Sequence, residues 1–299
     1  MNASEQPLFP RFEQLRMEVG DGIHIAAVIG GTGAPLLLLH GHPQTHAIWH
    51  RVAPVLAQHR TVVAADLRGY GDSTKPSGAA DHENYSKRAM ARDPLALMHA
   101  LGFERFDVLA HDRGARVAHR LAMDRPEAVQ RLVLLDIAPT LAMYEQTTEA
   151  FARAYWHWFF LIQPAPLPER LIQADPAGYV RDVMSRGSAG LSAFDPCALA
   201  EYERCIALPG AAHGLCEDYR ASAGIDLEHD RADRDAGRLL EQPLLALWGE
   251  QGVVHRCFRP LDEWRCVARD VKGEALACGH YIPEEAPEAL LASVVPFLS

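Results

Sequence analysis

The segment Phe106–Gly114, FDVLAHDRG, restricts what this chain can fold into more than any other stretch. Phe106–Ala110 reads as a buried strand and Ala115–Met123 as an amphipathic helix, which leaves His111-Asp112-Arg113-Gly114 for the turn between them. Small residues two before and two after the middle position, Ala110 and Gly114, permit a sharp, strained turn that lifts one side chain over the sheet edge. That side chain is Asp112. A helix-capping role would explain an aspartate here, but not the small residues that flank it.

Further short apolar runs bounded by Gly, Pro or Asp read as buried strands: Ile23–Ile29, Pro35–His40, Thr61–Asp66, Arg131–Ile137, Pro243–Trp248 and Glu274–Ala277. A second amphipathic helix is expected over Arg88–Leu101. Alternation of this kind predicts an α/β protein with a doubly wound, mostly parallel sheet. It stops near residue 139 and resumes near 243. The block between holds helical, aromatic-rich pieces, among them Tyr155-Trp-His-Trp-Phe-Phe160, broken by Gln163-Pro-Ala-Pro-Leu-Pro168. The expected organisation is a core over residues 1–139 and 243–299, with a helical cap domain over 140–242. For the aromatic cluster, packing within the cap is the plainer reading.

A carboxylate already carries its charge, so an aspartate at the elbow suits displacement of a leaving group from saturated carbon, or opening of an epoxide. The product is an ester on Asp112, and hydrolysing it requires a base. Gly279-His280-Tyr281-Ile282-Pro283-Glu284, after the last strand, supplies one in His280. A lone histidine is usually structural, but this one follows the last strand of a chain with an elbow. The acceptor that fixes its tautomer is Asp136, at the end of Arg131–Ile137, or Glu250 after Trp248-Gly249. Asp136 is preferred, because Glu250-Gln251-Gly252 reads as a surface turn.

Leu36-Leu-Leu-Leu-His40-Gly41-His42-Pro43 is an apolar strand running into His-Gly, and it places the backbone N–H of His42 with that of Arg113 as oxyanion donors. His40 itself reads as structural. His40, His42, His46 and His50 have no interleaved acidic ligand, so no metal is expected. Asp66-Leu-Arg-Gly69-Tyr-Gly71-Asp-Ser73 is a turn, not a phosphate loop, since the Gly-Lys-Ser/Thr ending is missing. Arg113 and Arg116, three residues apart, can both face the nucleophile. Two guanidinium forks there would hold a small carboxylate bidentately, and surface ion pairs are the plainer alternative.

The formal net charge of −10 argues against nucleic acid as a partner. The N-terminal stretch has no basic region followed by an apolar one, and no run approaches a membrane span, so a cytoplasmic location is expected. The six cysteines are expected to be reduced and mostly buried. Asn2-Ala3-Ser4 and Asn84-Tyr85-Ser86 match a glycosylation sequon, which means nothing without secretion.

With these residues assembled, the sequence resembles the fluoroacetate dehalogenases, a haloacetate-hydrolysing branch of the α/β-hydrolase superfamily. The stretches that carry the likeness are HGHPQTHAIWHRVAP (40–54), HDRGARV (111–117), LDIAPT (135–140), HWFFLIQPAPLPE (157–169), LSAFDP (191–196), CEDYRA (216–221) and GHYIPEEAP (279–287). The resemblance implies an α/β-hydrolase fold with an eight-stranded sheet. It implies Asp112 as nucleophile, His280 as base, Asp136 as its acidic partner, and Arg113 and Arg116 on the substrate carboxylate. It further implies His157, Trp158 and Tyr219 as the halide pocket, no cofactor, and a homodimer. The sequence departs from the family pattern twice. His42 stands where an aromatic residue such as Phe follows His-Gly, and the segment Arg181–Gly190 is short and lacks a tryptophan. Two rivals bear on function. An epoxide hydrolase would press Tyr219 and Tyr155 into protonating the epoxide oxygen, and a non-catalytic binding protein on this scaffold would have lost a triad member.

Overall fold

A computed structural model describes residues 8–187 and 189–299; Asn2-Ala3-Ser4 lies outside the described residues. The strands are β1 (Glu13–Gly20), β2 (Ile23–Gly30), β3 (Ala34–Leu39), β4 (Arg60–Ala65), β5 (Phe106–His111), β6 (Val129–Leu135), β7 (Leu244–Gly249) and β8 (Val271–Leu276). They form one sheet in the order β1-β2-β4-β3-β5-β6-β7-β8. β1 and β2 are antiparallel to their neighbours, and all pairs from β4 to β8 are parallel.

The middle strands are continuous apolar runs because both faces of the sheet are covered. In β3, Leu37 and Leu39 enter the core on one face while Leu36 and Leu38 enter the core on the other, as a side-chain period of two requires. The helices expected over 88–101 and 115–123 occur as Lys87–Ala100 and Asp112–Asp124. Two expectations need correcting. β1 is missing from the sequence reading, because this edge strand has no fully buried residue to mark it. β8 begins at Val271 rather than Glu274, its mixed, half-exposed residues giving no continuous apolar run.

From Thr140–Glu145 to Ile225–Asp235 the chain is helical, with no strand among the described residues between β6 and β7. No helix among the described residues is long and apolar enough to cross a membrane. Cys205, Cys216 and Cys278 are buried, Cys197 and Cys257 half-buried and Cys266 exposed, so burial is less general than expected.

Candidate active site

The carboxyl ends of the adjacent parallel strands β3, β5 and β6, together with the loop after β8, gather the candidate residues at one edge of the sheet, where open α/β sheets place their sites. Asp112 directly follows β5 and has φ 43°, in the left-handed region that non-glycine residues avoid. The turn closes because Gly114 has no side chain. A Cβ there would lie 2.3 Å from the His40 carbonyl oxygen, which accepts the Gly114 N–H at 2.8 Å. Gly41 is equally constrained, since its Cβ would lie 2.5 Å from Asp112 Cβ and 2.8 Å from Oδ2.

The His42 N–H donates to Asp112 Oδ2 at 3.0 Å. Burial alone would raise the Asp112 pKa, but His280, Arg113, His111 and Arg116 around it hold the carboxyl well below the usual range. It also sits at the N-terminus of the helix Asp112–Asp124, where backbone N–H groups favour an anion. The result is a buried, ionised carboxylate.

His280 Nδ1 lies 2.5 Å from Asp136 Oδ2, and Asp136 Oδ1 accepts the Gly249 N–H at 2.9 Å. Asp136 also has a positive φ, 50°. Glu250 is exposed, which removes the alternative acceptor. With Nδ1 committed to Asp136, Nε2 is the nitrogen of His280 left for chemistry. Burial lowers the His280 pKa, but the hydrogen bond and charge of Asp136, with Asp112 behind them, raise it overall.

Asp112 and His280 open on one small cavity of about 30 Å³, which Tyr155, His157 and Trp158 also line. Val183, Arg186 and Gly187, from the segment that lacks the expected tryptophan, line it too. Burial pushes the His157 pKa down to about 3, so its imidazole is neutral. The Tyr219 hydroxyl is buried without a partner among the described residues, and the phenol keeps its proton because burial and the Asp112 charge both raise its pKa.

The arginines depart from expectation in detail. Both are buried, which sets aside the surface alternative, but most of their donors are engaged by the protein. Arg113 Nε and Nη2 donate to the Asp218 carboxylate at 2.9 and 2.8 Å, and Nη2 also reaches Ser222 at 2.5 Å. Arg116 Nη1 donates to the Ala138 carbonyl and Thr140 Oγ1, while Nη2 meets Met143 Sδ. Among the described residues, the nitrogens left without partners are Arg113 Nη1 and Arg116 Nε. Two bidentate forks are therefore not on offer; each arginine has one nitrogen unengaged among the described residues. Neither arginine lines the cavity itself. Nor does Tyr219: Arg113 lies 4.0 Å over the Tyr219 ring, and Arg116 4.8 Å over the ring of Trp158, which does line the cavity.

Sequence reasoning missed Asp218. This fully buried residue accepts from Arg113, from Lys87 and from the Tyr70 hydroxyl at 2.6 Å, and its cationic neighbours keep it ionised against the cost of burial. It lies in CEDYRA beside Tyr219, but nothing local reveals a partner 105 residues away. His40 is structural: Nδ1 donates to the Gly41 carbonyl, and Nε2 accepts the Leu67 N–H. Among the described residues, the groups close enough to share an ion are Asp72, Glu201 and Cys205, and Glu169, His213 and Glu217, neither of which draws on the histidines at 40–50.

A strained aspartate elbow, a histidine after the last strand and an acid between them define a class. The chain belongs to the α/β-hydrolase fold family, whose sequence pattern matches residues 34–181. It is 46% identical over 293 residues to the fluoroacetate dehalogenase of a Burkholderia species, covering 98% of this chain and 95% of that protein. It is also 34% identical to the soluble epoxide hydrolase of Corynebacterium strain C12, covering 93% and 95%. An α/β hydrolase from Nostoc sp PCC 7120 superposes with a TM-score of 0.94 at 53% identity, covering 96% of this chain and 98% of that one.

Proposed function

We propose that this hydrolase is a haloacetate dehalogenase, converting fluoroacetate or chloroacetate to glycolate and halide. Asp112 Oδ2 is occupied by the His42 N–H, so Oδ1 attacks the α-carbon. The C–O bond forms as the C–X bond breaks, and its electron pair leaves on the halide. His280 Nε2 then takes a proton from water, and the hydroxide adds to the Asp112 ester carbonyl. The N–H groups of His42 and Arg113 face the resulting oxyanion. Collapse expels glycolate, which recovers the proton from His280, and Asp112 releases the water's other proton to return to the carboxylate. The nucleophile is charged from the start, so the chemistry calls for no metal or cofactor.

The observation that carries this reading over its rival is the pair of buried guanidinium nitrogens without partners, Arg113 Nη1 and Arg116 Nε. A buried cationic donor left unsatisfied is costly. In this reading the two oxygens of one small carboxylate satisfy both. Uncharged epoxides carry no such group. His157, Trp158 and Tyr219 then serve the halide, where donors are worth most in the transition state. The helices over 140–242 act as the cap that excludes water from the cavity. A cytoplasmic homodimer that binds neither nucleic acid nor membranes completes the proposal, and gel filtration tests the oligomeric state.

The test is fluoride release from fluoroacetate, read with an ion-selective electrode beside Asp112→Asn, with chloroacetate in parallel. Fluoride release that the substitution abolishes supports the reading. Release of neither halide, with hydrolysis of a styrene-oxide-type substrate, would transfer the protein to the epoxide hydrolases. The unpartnered Tyr219 hydroxyl would then protonate the epoxide oxygen.

A further inference from the structure

His42 has two separable parts. Its backbone N–H is fixed on Asp112 Oδ2 at 3.0 Å, which places the imidazole a few bonds from the nucleophile. The ring stacks parallel to that of His157 with centroids 5.5 Å apart, and meets the Tyr219 ring edge-on at 5.3 Å. His42 also lines the cavity shared by Asp112 and His280. Its Nδ1 is buried and has no partner among the described residues. Its Nε2 lies 3.0 Å from the Tyr179 hydroxyl.

The tautomer follows from the hydroxyl. Burial, with His157 alongside, drives the His42 pKa well below its ordinary value, so the ring carries one N–H. Burial likewise keeps the Tyr179 phenol protonated, and among the described residues its only hydrogen-bond partner is His42 Nε2. If Nε2 carried the proton, the tyrosine O–H would have nothing to donate to, and an Nδ1 lone pair would be buried beside it, also unmatched. If the tyrosine donates to Nε2, only an Nδ1–H awaits an acceptor. A lone pair would repel an anion in this cavity; an N–H attracts one.

We propose that the His42 imidazole is a further hydrogen-bond donor to the departing halide, its Nδ1–H set by the Tyr179 hydroxyl, acting beside His157, Trp158 and Tyr219. This rests on the dehalogenase reading above for the place of the halide. A donor at this point is worth most for fluoride, the poorest leaving group and the most concentrated charge, so His42 biases the site toward carbon–fluorine cleavage. Its backbone N–H serves the oxyanion whatever the side chain, and the two parts can be separated by substitution.

The experiment compares His42→Phe and Tyr179→Phe with the unaltered protein by titrating chloride and bromide against tryptophan fluorescence, a readout that needs no turnover. The expected result is halide binding weakened about tenfold in His42→Phe, with a smaller loss in Tyr179→Phe. In turnover, kcat falls more for fluoroacetate than for chloroacetate while KM stays nearly constant. Halide binding within twofold of the unaltered protein in His42→Phe overturns the proposal, as does an unaltered protein that binds no halide. Haloacetate turnover with unchanged halide binding sinks the role of His42 and leaves the function standing. Weakened halide binding without any haloacetate turnover leaves His42 a halide ligand but sinks the dehalogenase reading, and with it the leaving-group role.

Discussion

His280 Nδ1 and Asp136 Oδ2 lie 2.5 Å apart although 144 residues separate them in the chain. Asp136 raises the His280 pKa above its ordinary 6.5 against the effect of burial. Only the neutral ring can take a proton from water, so turnover falls as pH drops through this raised value. Asp136→Asn is expected to lower kcat by about 10²–10⁴-fold and to move the acid limb of the pH profile downward. The stability contribution of the pair has the opposite sense: it is fully present below pH 6.5 and is lost as pH rises through the raised pKa. A pH–rate profile of the variant with an unmoved acid limb contradicts the pairing.

Acid sensitivity has a different source. His111, His119 and His157 are pushed down to about 3, chiefly by burial. Each binds a proton more readily when unfolded, so its contribution to stability is complete above about pH 6.5 and is lost as pH falls toward 3. The Tm is expected to decline steadily between pH 6.5 and pH 4. A flat Tm across that range would mean these rings are solvated.

Asp218 binds Arg113 at 2.8 Å and also pairs with Lys87. Asp218→Asn leaves buried cations short of a partner and is expected to cost about 3–5 kcal/mol of stability. It also releases the guanidinium whose Nη1 we propose meets the substrate carboxylate. The expected kinetic result is a KM for haloacetate raised about tenfold or more, with a smaller effect on kcat. Chemical denaturation and steady-state kinetics measure the two effects separately.

Gly41→Ala would bring a Cβ within 2.5 Å of Asp112 Cβ and 3.1 Å of the Arg113 nitrogen. The backbone on both sides is tied to the sheet, so the nucleophile must move. We expect halide release to fall by about 100-fold or more, with cooperative unfolding retained at a cost of about 1–3 kcal/mol. Activity within tenfold of the unaltered protein would show that the elbow has slack.

Features written locally were the ones legible in the sequence. The elbow at Asp112 announces itself because strand, small residues and helix are consecutive, and Asp136 stands directly after an apolar run. Strands β2 to β7 show as apolar runs because both their faces are covered. β1 gives no such signal, since its residues alternate between exposed and half-buried. The engagement of Arg113 by Asp218, and of His42 by Tyr179, spans 105 and 137 residues. Such pairings come from how the helices between β6 and β7 settle over the sheet, and no spacing in the sequence records them. For the same reason the arginines read as whole forks, when each has most of its donors occupied by the protein.

The central claim is that Asp112 itself becomes esterified, and a single-turnover reaction in heavy-oxygen water tests it most directly. With enzyme in excess over chloroacetate or fluoroacetate, the account predicts unlabelled glycolate and one heavy oxygen in the peptide containing Asp112, because water attacks the ester carbonyl rather than the substrate carbon. Label in the first glycolate, with none in that peptide, would make Asp112 a general base and contradict the account.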